Sequence, residues 1–305
     1  MADSTPMADS TTEDLEVFES QRSRLVALAY RMLGDVARAE DMVQEAWLRW
    51  QGRHEEVESP PAYLVTMVTR LCLNELDSAK TRREQSRGDR LPEPVALDEG
   101  TLGRIEALEH VSMAFLVMLQ RLTPAERAVL LLHDVFDFAH LEIAALIDKN
   151  EAACRKILER AREHVASEKS LFVASRDMHQ RLLGSFMQAA SAGDASALVG
   201  LLAEDAVLIT DGGPEGRRGR GFRNLQLPLQ GAAKIAAFVV ATARDSGLEA
   251  EMHDLNGQPA IVLYENDRPS AALLLGVASG RIHRVFFHAD TTRLQHLGPR
   301  TPKSN

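Results

Sequence analysis

The chain has 305 residues, of which 45% are apolar and 26% are charged. This length allows two or three hydrophobic cores, which excludes a disordered peptide and a disulfide-stapled miniprotein. The two cysteines, Cys72 and Cys154, each lie in a helix-patterned segment, so a disulfide framework and a clustered zinc site are excluded as well. No stretch approaches the ~18 uninterrupted apolar residues of a membrane span. We expect a cytoplasmic protein that is neither exported nor inserted in a membrane.

The net charge of −9 is unevenly distributed along the chain. Residues 1–90 hold 12 basic and 17 acidic residues, residues 91–174 hold 9 and 14, and residues 175–305 hold 14 and 13. Bulk attraction to phosphate therefore does not draw this chain to nucleic acid. If it binds DNA, we expect a partner protein to help.

The first predicted domain comprises residues 15–85, after an acidic segment, residues 1–14, that we expect to be a disordered tail. Three apolar stripes with helical spacing follow one another, separated by Gly34-Asp35 and by Pro60-Pro61. The sequence thus predicts a small all-helical domain.

A linker is predicted for residues 86–103, where the helical periodicity is lost and two prolines, Pro92 and Pro94, occur. A second helical domain is predicted for residues 104–170. Within it, Thr123-Pro124-Ala125-Glu126 places a capping threonine, a proline at the first helical position and a glutamate that closes a capping box.

Residues 141–166 have the layout of a helix-turn-helix, with a break at Asp148-Lys149-Asn150. Asn150 is predicted to cap the second helix, which carries Arg155, Lys156 and Arg162 on its outer face. Basic groups in such a position reach bases and phosphates of the major groove. Because any two amphipathic helices with a short turn share this layout, a purely structural role is the alternative.

The last predicted domain, residues 175–295, is α+β. Helical stripes come first, a strand-like run over residues 205–210 follows, and four strand-patterned segments after residue 248 predict an antiparallel sheet. Residues 296–305 are expected to be a second tail.

Three segments, taken in this order, resemble the sigma-70 family of bacterial transcription factors, in particular its extracytoplasmic-function (ECF) group. Residues 35–50 are similar to the region 2 helix that holds core RNA polymerase in that family. Residues 61–74 are similar to the segment that recognises and melts the minus-ten element, and residues 122–162 are similar to region 4, which binds the minus-thirty-five element. The match covers residues 15–166.

The resemblance implies core RNA polymerase and promoter DNA as partners, and it implies no cofactor, no metal and no catalytic residue. It assigns polymerase binding to Glu40, Asp41, Gln44 and Glu45. It assigns minus-ten contacts to Arg70, Lys80, Arg82 and Arg83, and minus-thirty-five contacts to Asn150, Ala153, Arg155, Lys156, Arg160 and Arg162. For the acidic patch, a solvated helix face is the alternative.

The last 130 residues resemble a SnoaL-like domain of the nuclear transport factor 2-like superfamily, a cone of curved sheet over helices. Sigma factors with such a domain share the linker motif Leu91-Pro92-Glu93-Pro94 and a glycine loop, represented here by Asp211-Gly212-Gly213. The resemblance implies a built-in regulator that acts through the linker and this loop. The alternatives are a stiff spacer for the linker and a solvated loop for the glycine segment.

Two other functions stay open from the sequence. One is a freestanding helix-turn-helix regulator with a ligand-sensing domain, and whether a small molecule enters the cone is unknown. The other is an enzyme that uses His253, His283 or His288, but histidines in strands are more often structural residues. Fold resemblance alone does not supply a catalytic site.

Overall fold

A computed structural model describes residues 6–51, 57–83, 90–96, 111–168, 171, 174–213, 218–219, 222–223, 225, 227–243 and 247–300. The chain forms two compact units. Residues 1–84, 104–107 and 118–166 belong to the first unit, and residues 85–103, 108–117 and 167–305 belong to the second.

The first unit is helical. Its elements are α1 (Pro6–Leu33), α2 (Val36–Trp50), α3 (Pro60–Arg83), the last turn of α4 (Met113–Arg121), α5 (Pro124–Asp134), α6 (His140–Leu146) and α7 (Glu151–Glu168). Helix α1 packs on α2 and α3 around buried apolar side chains such as Leu25, Trp50 and Leu64. Asp35, at the Gly34-Asp35 break, caps α2 by accepting a hydrogen bond from the Arg38 amide.

The predicted tail over residues 1–14 is wrong from residue 6 onward, because α1 begins at Pro6. The carbonyl of Asp14 accepts a hydrogen bond from Trp50 Nε1 at 3.0 Å. The Phe18 ring lies 5.0 Å from the Trp47 ring. These two contacts with α2 anchor a polar segment whose own sequence carries no apolar stripe.

Arg127 of α5 is buried, and its guanidinium joins two helix ends. Its Nε donates to the carbonyl of Leu119 at 2.8 Å, near the end of α4, and its Nη1 donates to the carbonyl of Met32, at the end of α1. Such carbonyls have no partner within their own helix. The arginine therefore connects α5 to both helices.

The predicted caps of the second helical domain are confirmed. Thr123 and Glu126 form the capping box at the start of α5. The Asn150 side chain accepts from the Ala153 amide at 2.8 Å at the start of α7. Between α6 and α7, Asp148 adopts a positive φ of 52°, which closes the short turn of the helix-turn-helix.

The second unit is α+β, as predicted. Its helices are α8 (Arg176–Ala192), α9 (Ala195–Leu201), α10 (Ala232–Ala243) and α11 (Thr291–Leu294). Its strands are β1 (Leu202–Asp211), β2 (Arg218–Gly219), β3 (Phe222–Arg223), β4 (Leu229–Gln230), β5 (Glu249–Leu255), β6 (Gln258–Glu265), β7 (Arg268–Ala278) and β8 (Arg281–His288). Six strands form one sheet in the order β4-β1-β8-β7-β6-β5, and β2 pairs with β3.

The expectation of a purely antiparallel sheet is wrong at one pair, because β1 and β8 run parallel. The antiparallel strands β5 to β8 are joined by tight turns with positive φ at Asn256-Gly257, Asn266-Asp267 and Ser279-Gly280. Strand β8, the last of these, runs in the same direction as β1. A parallel pair needs a long connection between its strands, and here the connection from β1 to β8 includes α10.

The sheet is covered on both faces. One face packs against α8, α9 and α10 through a cluster that includes Leu183, Phe186 and Ile235. The other face packs against Leu91 of the linker, the start of α4 and Leu294. The predicted tail after residue 295 is wrong through residue 300, because Arg300 Nε binds Glu251 Oε1 on β5 at 2.8 Å.

Candidate functional sites

The predicted polymerase-binding residues lie on one side of α2. Asp41 and Gln44 are exposed, whereas Glu40 and Glu45 are half-buried. Glu45 Oε1 binds Arg49 Nε at 2.8 Å. Leu48, which is 58% exposed, lies one turn beyond Gln44 on the same side. The exposed surface is therefore a stripe of Asp41, Gln44 and Leu48, which we call the α2 stripe.

Sequence analysis missed Leu48, although its spacing of four and seven residues from Gln44 and Asp41 was a readable signal. A large apolar side chain on the polar side of a helix has no core to join. Beside an acidic and an amide group, it gives the stripe the mixed chemistry of a protein-binding surface.

The predicted minus-ten residues lie on α3. Arg70 is exposed, beside the buried Thr69. Lys80, Arg82 and Arg83 belong to the last turns of α3, and their side chains lie outside the described residues. The helix therefore presents at least one cation toward solvent.

The predicted minus-thirty-five residues divide into two groups on α7. Lys156 and Arg160 are exposed, and neither forms an ion pair with any residue that the structure describes. Arg155 pairs with Glu151, one turn earlier on the same helix. Asn150 is engaged in capping, and Ala153 is half-buried.

Arg162 is held by α5. Its Nη2 donates to Asp134 Oδ1 at 2.6 Å and its Nε donates to Asp134 Oδ2 at 3.2 Å. Burial opposes ionisation of Asp134, but hydrogen bonds from Arg162 and His133 outweigh it and lower the pKa of this carboxyl. The two-bond geometry orients α7 on α5, so Arg162 serves the fold of the helix-turn-helix.

The linker motif is buried in the second unit, which contradicts the stiff-spacer alternative. Leu91 and Val95 are fully covered, and Glu93 is 7% exposed. The Leu91 amide donates to Asp211 Oδ2 at 3.0 Å, and the Leu91 carbonyl accepts from Arg293 Nη1 at 2.7 Å. The backbone of the motif is thus bound at its first residue by two charged side chains.

The end of the motif is bound in the same way. Asn256 Oδ1 accepts from the Val95 amide at 3.1 Å, and the Asn256 amide donates to the Val95 carbonyl at 2.8 Å. His296 Nε2 donates to the Pro94 carbonyl at 2.8 Å, and its Nδ1 lies 3.1 Å from Glu93 Oε1. We call Asp211, Asn256, Arg293 and His296 the linker groove.

The glycine loop supports this groove. Asp211 Oδ1 accepts from the Gly213 amide at 2.9 Å, and its carbonyl accepts from Ala289 at 2.7 Å. Gly213 has a φ of 78°, and a Cβ there would lie 2.9 Å from the Asp290 carboxyl carbon. Only glycine fits this position. The loop's Arg217 and Arg220 and the side chains of Arg218 and Arg223 lie outside the described residues.

Three residues of the groove were missed by sequence analysis. Asn256, Arg293 and His296 bind linker atoms that lie more than 150 positions earlier in the chain. The Asn-Gly pair at residues 256–257 was visible, but it indicates a turn and not a partner.

The histidines proposed for an enzyme do not form one cluster. His253 Nε2 lies 3.0 Å from Tyr264 Oη at the β5 end of the sheet. His283 and His288 lie on β8, three strands away, where His283 faces Asp205. Within the described part of the chain, no group of three or more histidine, cysteine or acidic residues has a metal-binding arrangement.

His288 is the most perturbed of these groups. It is 3% exposed, and its Nε2 has no hydrogen-bond partner among the described residues. Burial, together with the nearby charge of Arg293, lowers the pKa of its imidazole to about 3. It is therefore neutral in the folded protein.

We expect His288 to make the stability of the protein depend on pH. As the pH drops from about 6.5 toward 4, its contribution lowers the free energy of unfolding by about 1.4 kcal/mol for each pH unit. In this range the unfolded chain binds a proton on this imidazole and the folded chain does not. Denaturant titrations of His288→Leu and of wild type at pH 5 and 7 measure this difference. The variant is expected to lose that dependence, while His283→Gln keeps it. An unchanged dependence in His288→Leu would contradict the assignment.

Known proteins resemble this chain over both helical regions and beyond. The chain matches the family models "Sigma-70 region 2" over residues 17–82 and "Sigma-70, region 4" over residues 112–165. It is 37% identical over 238 residues to ECF RNA polymerase sigma factor SigJ of Mycobacterium tuberculosis, covering 77% of this chain and 74% of that protein. It is 28% identical over 290 residues to the probable ECF sigma factor SigI of the same organism, covering 92% and 94%.

A solved structure is similar as well. The crystal structure of M. tuberculosis extracytoplasmic function sigma factor SigJ matches with a TM-score of 0.70 and 28% identity, over 92% of this chain and 97% of that one. The match includes the carboxyl-terminal α+β domain. No helix in the part of the chain that the structure describes combines the length and apolar character needed to cross a bilayer.

Proposed function

Because this chain belongs to the family of ECF RNA polymerase sigma factors, we propose that its α2 stripe binds core polymerase, that α3 and α7 contact promoter DNA, and that the carboxyl-terminal domain tunes initiation by holding the linker. Factors of this family bind core RNA polymerase and promoter DNA, and the family is not enzymatic in general. The residue assignments and the regulatory role are the proposal. We place its action in the cytoplasm, where sigma factors meet polymerase.

The polymerase part of the proposal rests on the α2 stripe. Asp41 and Gln44 supply an acidic and an amide group, and Leu48 supplies an exposed apolar side chain. Interfaces of this composition combine an apolar anchor with polar contacts that select the partner. A basic-rimmed helical surface of the polymerase is the partner that this chemistry fits.

The DNA part rests on the cations of α7. Lys156 and Arg160 lie one turn apart and are exposed, whereas Arg155 and Arg162 are already paired with carboxylates. A cation that is neutralised within the protein releases fewer counterions when it meets a phosphate. We therefore assign the main contacts of α7 with the minus-thirty-five element to Lys156 and Arg160.

Lys156→Ala and Arg160→Ala are each expected to lower the slope of log affinity against log salt concentration by about 1 for promoter binding by the polymerase complex. Arg162→Ala is expected to change this slope less, because Asp134 already compensates its charge. Binding of a promoter fragment at several salt concentrations measures the slopes. Arg181→Ala, an exposed arginine of α8, is the control. If Arg162→Ala changed the slope as much as Lys156→Ala or Arg160→Ala, the assignment of the main phosphate contacts to Lys156 and Arg160 would be contradicted.

The regulatory part is carried by one observation, the burial of residues 91–95 in the linker groove. These residues lie between region 2 and region 4 in the chain, so binding them shortens the free chain that lets the two regions separate. Since the groove is tethered to the linker, even a weak contact is occupied much of the time. The experiment that tests this role is the release of the linker by substitution at Asp211, described in the Discussion.

A further inference from the structure

His296 contacts the linker with both nitrogens of its ring. Its Nε2 lies 2.8 Å from the Pro94 carbonyl oxygen, and its Nδ1 lies 3.1 Å from Glu93 Oε1. A carbonyl oxygen and a carboxylate oxygen both accept hydrogen bonds, whereas a neutral imidazole carries only one N–H. A neutral imidazole beside an ionised carboxylate therefore satisfies only one of these two contacts.

One additional proton satisfies both contacts. The imidazolium form of His296 donates from Nε2 to Pro94 and from Nδ1 to Glu93. If the proton lies on the Glu93 carboxyl instead, that group donates to Nδ1, and the number of protons bound by the pair is the same. Because Glu93 is buried, water is a poor substitute for this hydrogen bond. The held linker therefore favours a proton that the released linker does not need.

The charged groups around His296 keep Glu93 as its nearest ionic partner. Arg293 of α11 has its Nε 4.0 Å from Glu93 Oε2, which is farther than the histidine contact. Its Nη1 lies 3.4 Å from Asp211 Oδ2, so an acidic group compensates its charge. The other titratable side chains on residues 90–96 of the linker, on β7 and around α11 are Arg90, Arg268, His288 and Asp290. Arg90 pairs with Asp290.

We propose that the linker groove takes up a proton when it holds the linker, so that a rise in pH through the titration range of histidine releases the linker. This inference rests on the proposed regulatory role of the groove and adds pH as a signal. An exposed histidine gains its proton near pH 6.5. Below that pH, the held and released states both carry the proton, and the contact is complete. Above it, the released state loses the proton first, so the ratio of held to released linker falls by up to about tenfold for each pH unit.

Hydrogen exchange of the full-length chain at pH 6.5 and 7.5 tests this coupling. The protection factor compares the exchange rate of an amide with that of an unstructured chain at the same pH. For the Val95 amide, it reports how firmly Asn256 holds the end of the linker. We expect this factor to fall about three- to tenfold in the wild-type chain between the two pH values. His288 is neutral in the folded protein over this range, so it does not contribute.

Glu93→Gln separates proton uptake from charge pairing. The glutamine amide donates to Nδ1 of a neutral His296, so the contact needs no additional proton. We expect the Val95 amide of this variant to keep its protection at pH 7.5 and to lose its pH dependence. His296→Gln is also expected to lose the dependence. The matched control His283→Gln, on β8, is expected to keep it.

An equal Val95 protection factor at pH 6.5 and 7.5 in the wild-type chain would overturn the proposal. So would a loss of protection in Glu93→Gln at both pH values, because an ion pair that only stabilises the groove behaves in this way. The ratio of promoter-dependent initiation rates between wild type and Glu93→Gln tests the regulatory role separately, and we expect this ratio to change between the two pH values. A constant ratio with pH-dependent protection would overturn the regulatory part of the proposed function and leave proton uptake standing.

Discussion

The double substitution Asp41→Ala with Gln44→Ala is expected to weaken binding to core RNA polymerase by roughly 10- to 100-fold, the range of a hot-spot pair at a protein interface. Both side chains are exposed, and the described structure gives neither an ion pair within the chain. Their loss therefore leaves the fold of the helical unit intact. Titration of labelled protein with core polymerase measures the affinity, and circular dichroism verifies the helical content.

The control for this prediction is Glu16→Ala, which removes an exposed acidic group from α1 and keeps the α2 stripe. Leu48→Ala is expected to act in the same direction as the double substitution, because the exposed leucine is the apolar part of the stripe. An affinity for polymerase that is unchanged in the double variant would remove the α2 stripe from the interface.

Substituting Asp211 with alanine is expected to release the linker from its groove at a cost of about 3–5 kcal/mol, the range found when one partner of a buried charge pair is removed. The Asp211 carboxylate accepts from the Leu91 amide and lies 3.4 Å from Arg293 Nη1. Without it, both donors stay buried without this acceptor. Hydrogen exchange of the full-length chain measures the release, because the Leu91 and Val95 amides, which donate to Asp211 and Asn256, then lose protection.

Asp205→Ala is the matched control, since Asp205 lies on the same strand and its side chain is 73% exposed. We expect this substitution to change protection of the linker by less than a factor of two, because exposed ion pairs contribute little. Full protection of the Leu91 and Val95 amides in Asp211→Ala would show that the carboxylate does not hold the linker.

Elements defined by local signals were predictable from the sequence. The capping box of Thr123 and Glu126, the Asn150 cap and the turn at Ser279-Gly280 each depend on residues within four positions of one another. Capping and turn chemistry act at that range, so a sequence pattern carries them.

Contacts between distant parts of the chain were not predictable in this way. The linker was predicted from its loss of helical periodicity, but its partners Asp211 and Arg293 lie 120 and 202 positions away. Arg127 directly follows the capping-box residue Glu126, and nothing near it in the sequence indicates that it donates to the Met32 carbonyl. A contact of this kind forms only in the packed fold, and a single sequence does not indicate which distant residues come together there.

Different observations bear on the two alternative functions, the freestanding regulator and the enzyme. A freestanding helix-turn-helix regulator has no need of residues 17–82, which match sigma-70 region 2. For the enzyme alternative, the structure places His253 on β5 and both His283 and His288 on β8, with β6 and β7 between them. His253 contacts Tyr264, and His288 is buried beside Arg293.

Promoter-dependent initiation by core polymerase, reconstituted with the full-length chain, tests the central claim most directly. The wild-type chain is expected to support initiation, Asp205→Ala is expected to match it, and Asp211→Ala is expected to change the initiation rate several-fold. A wild-type chain that supports no initiation would contradict the polymerase and promoter assignments. Equal rates for wild type and Asp211→Ala, with the linker of the variant shown to be released, would contradict regulation through the linker.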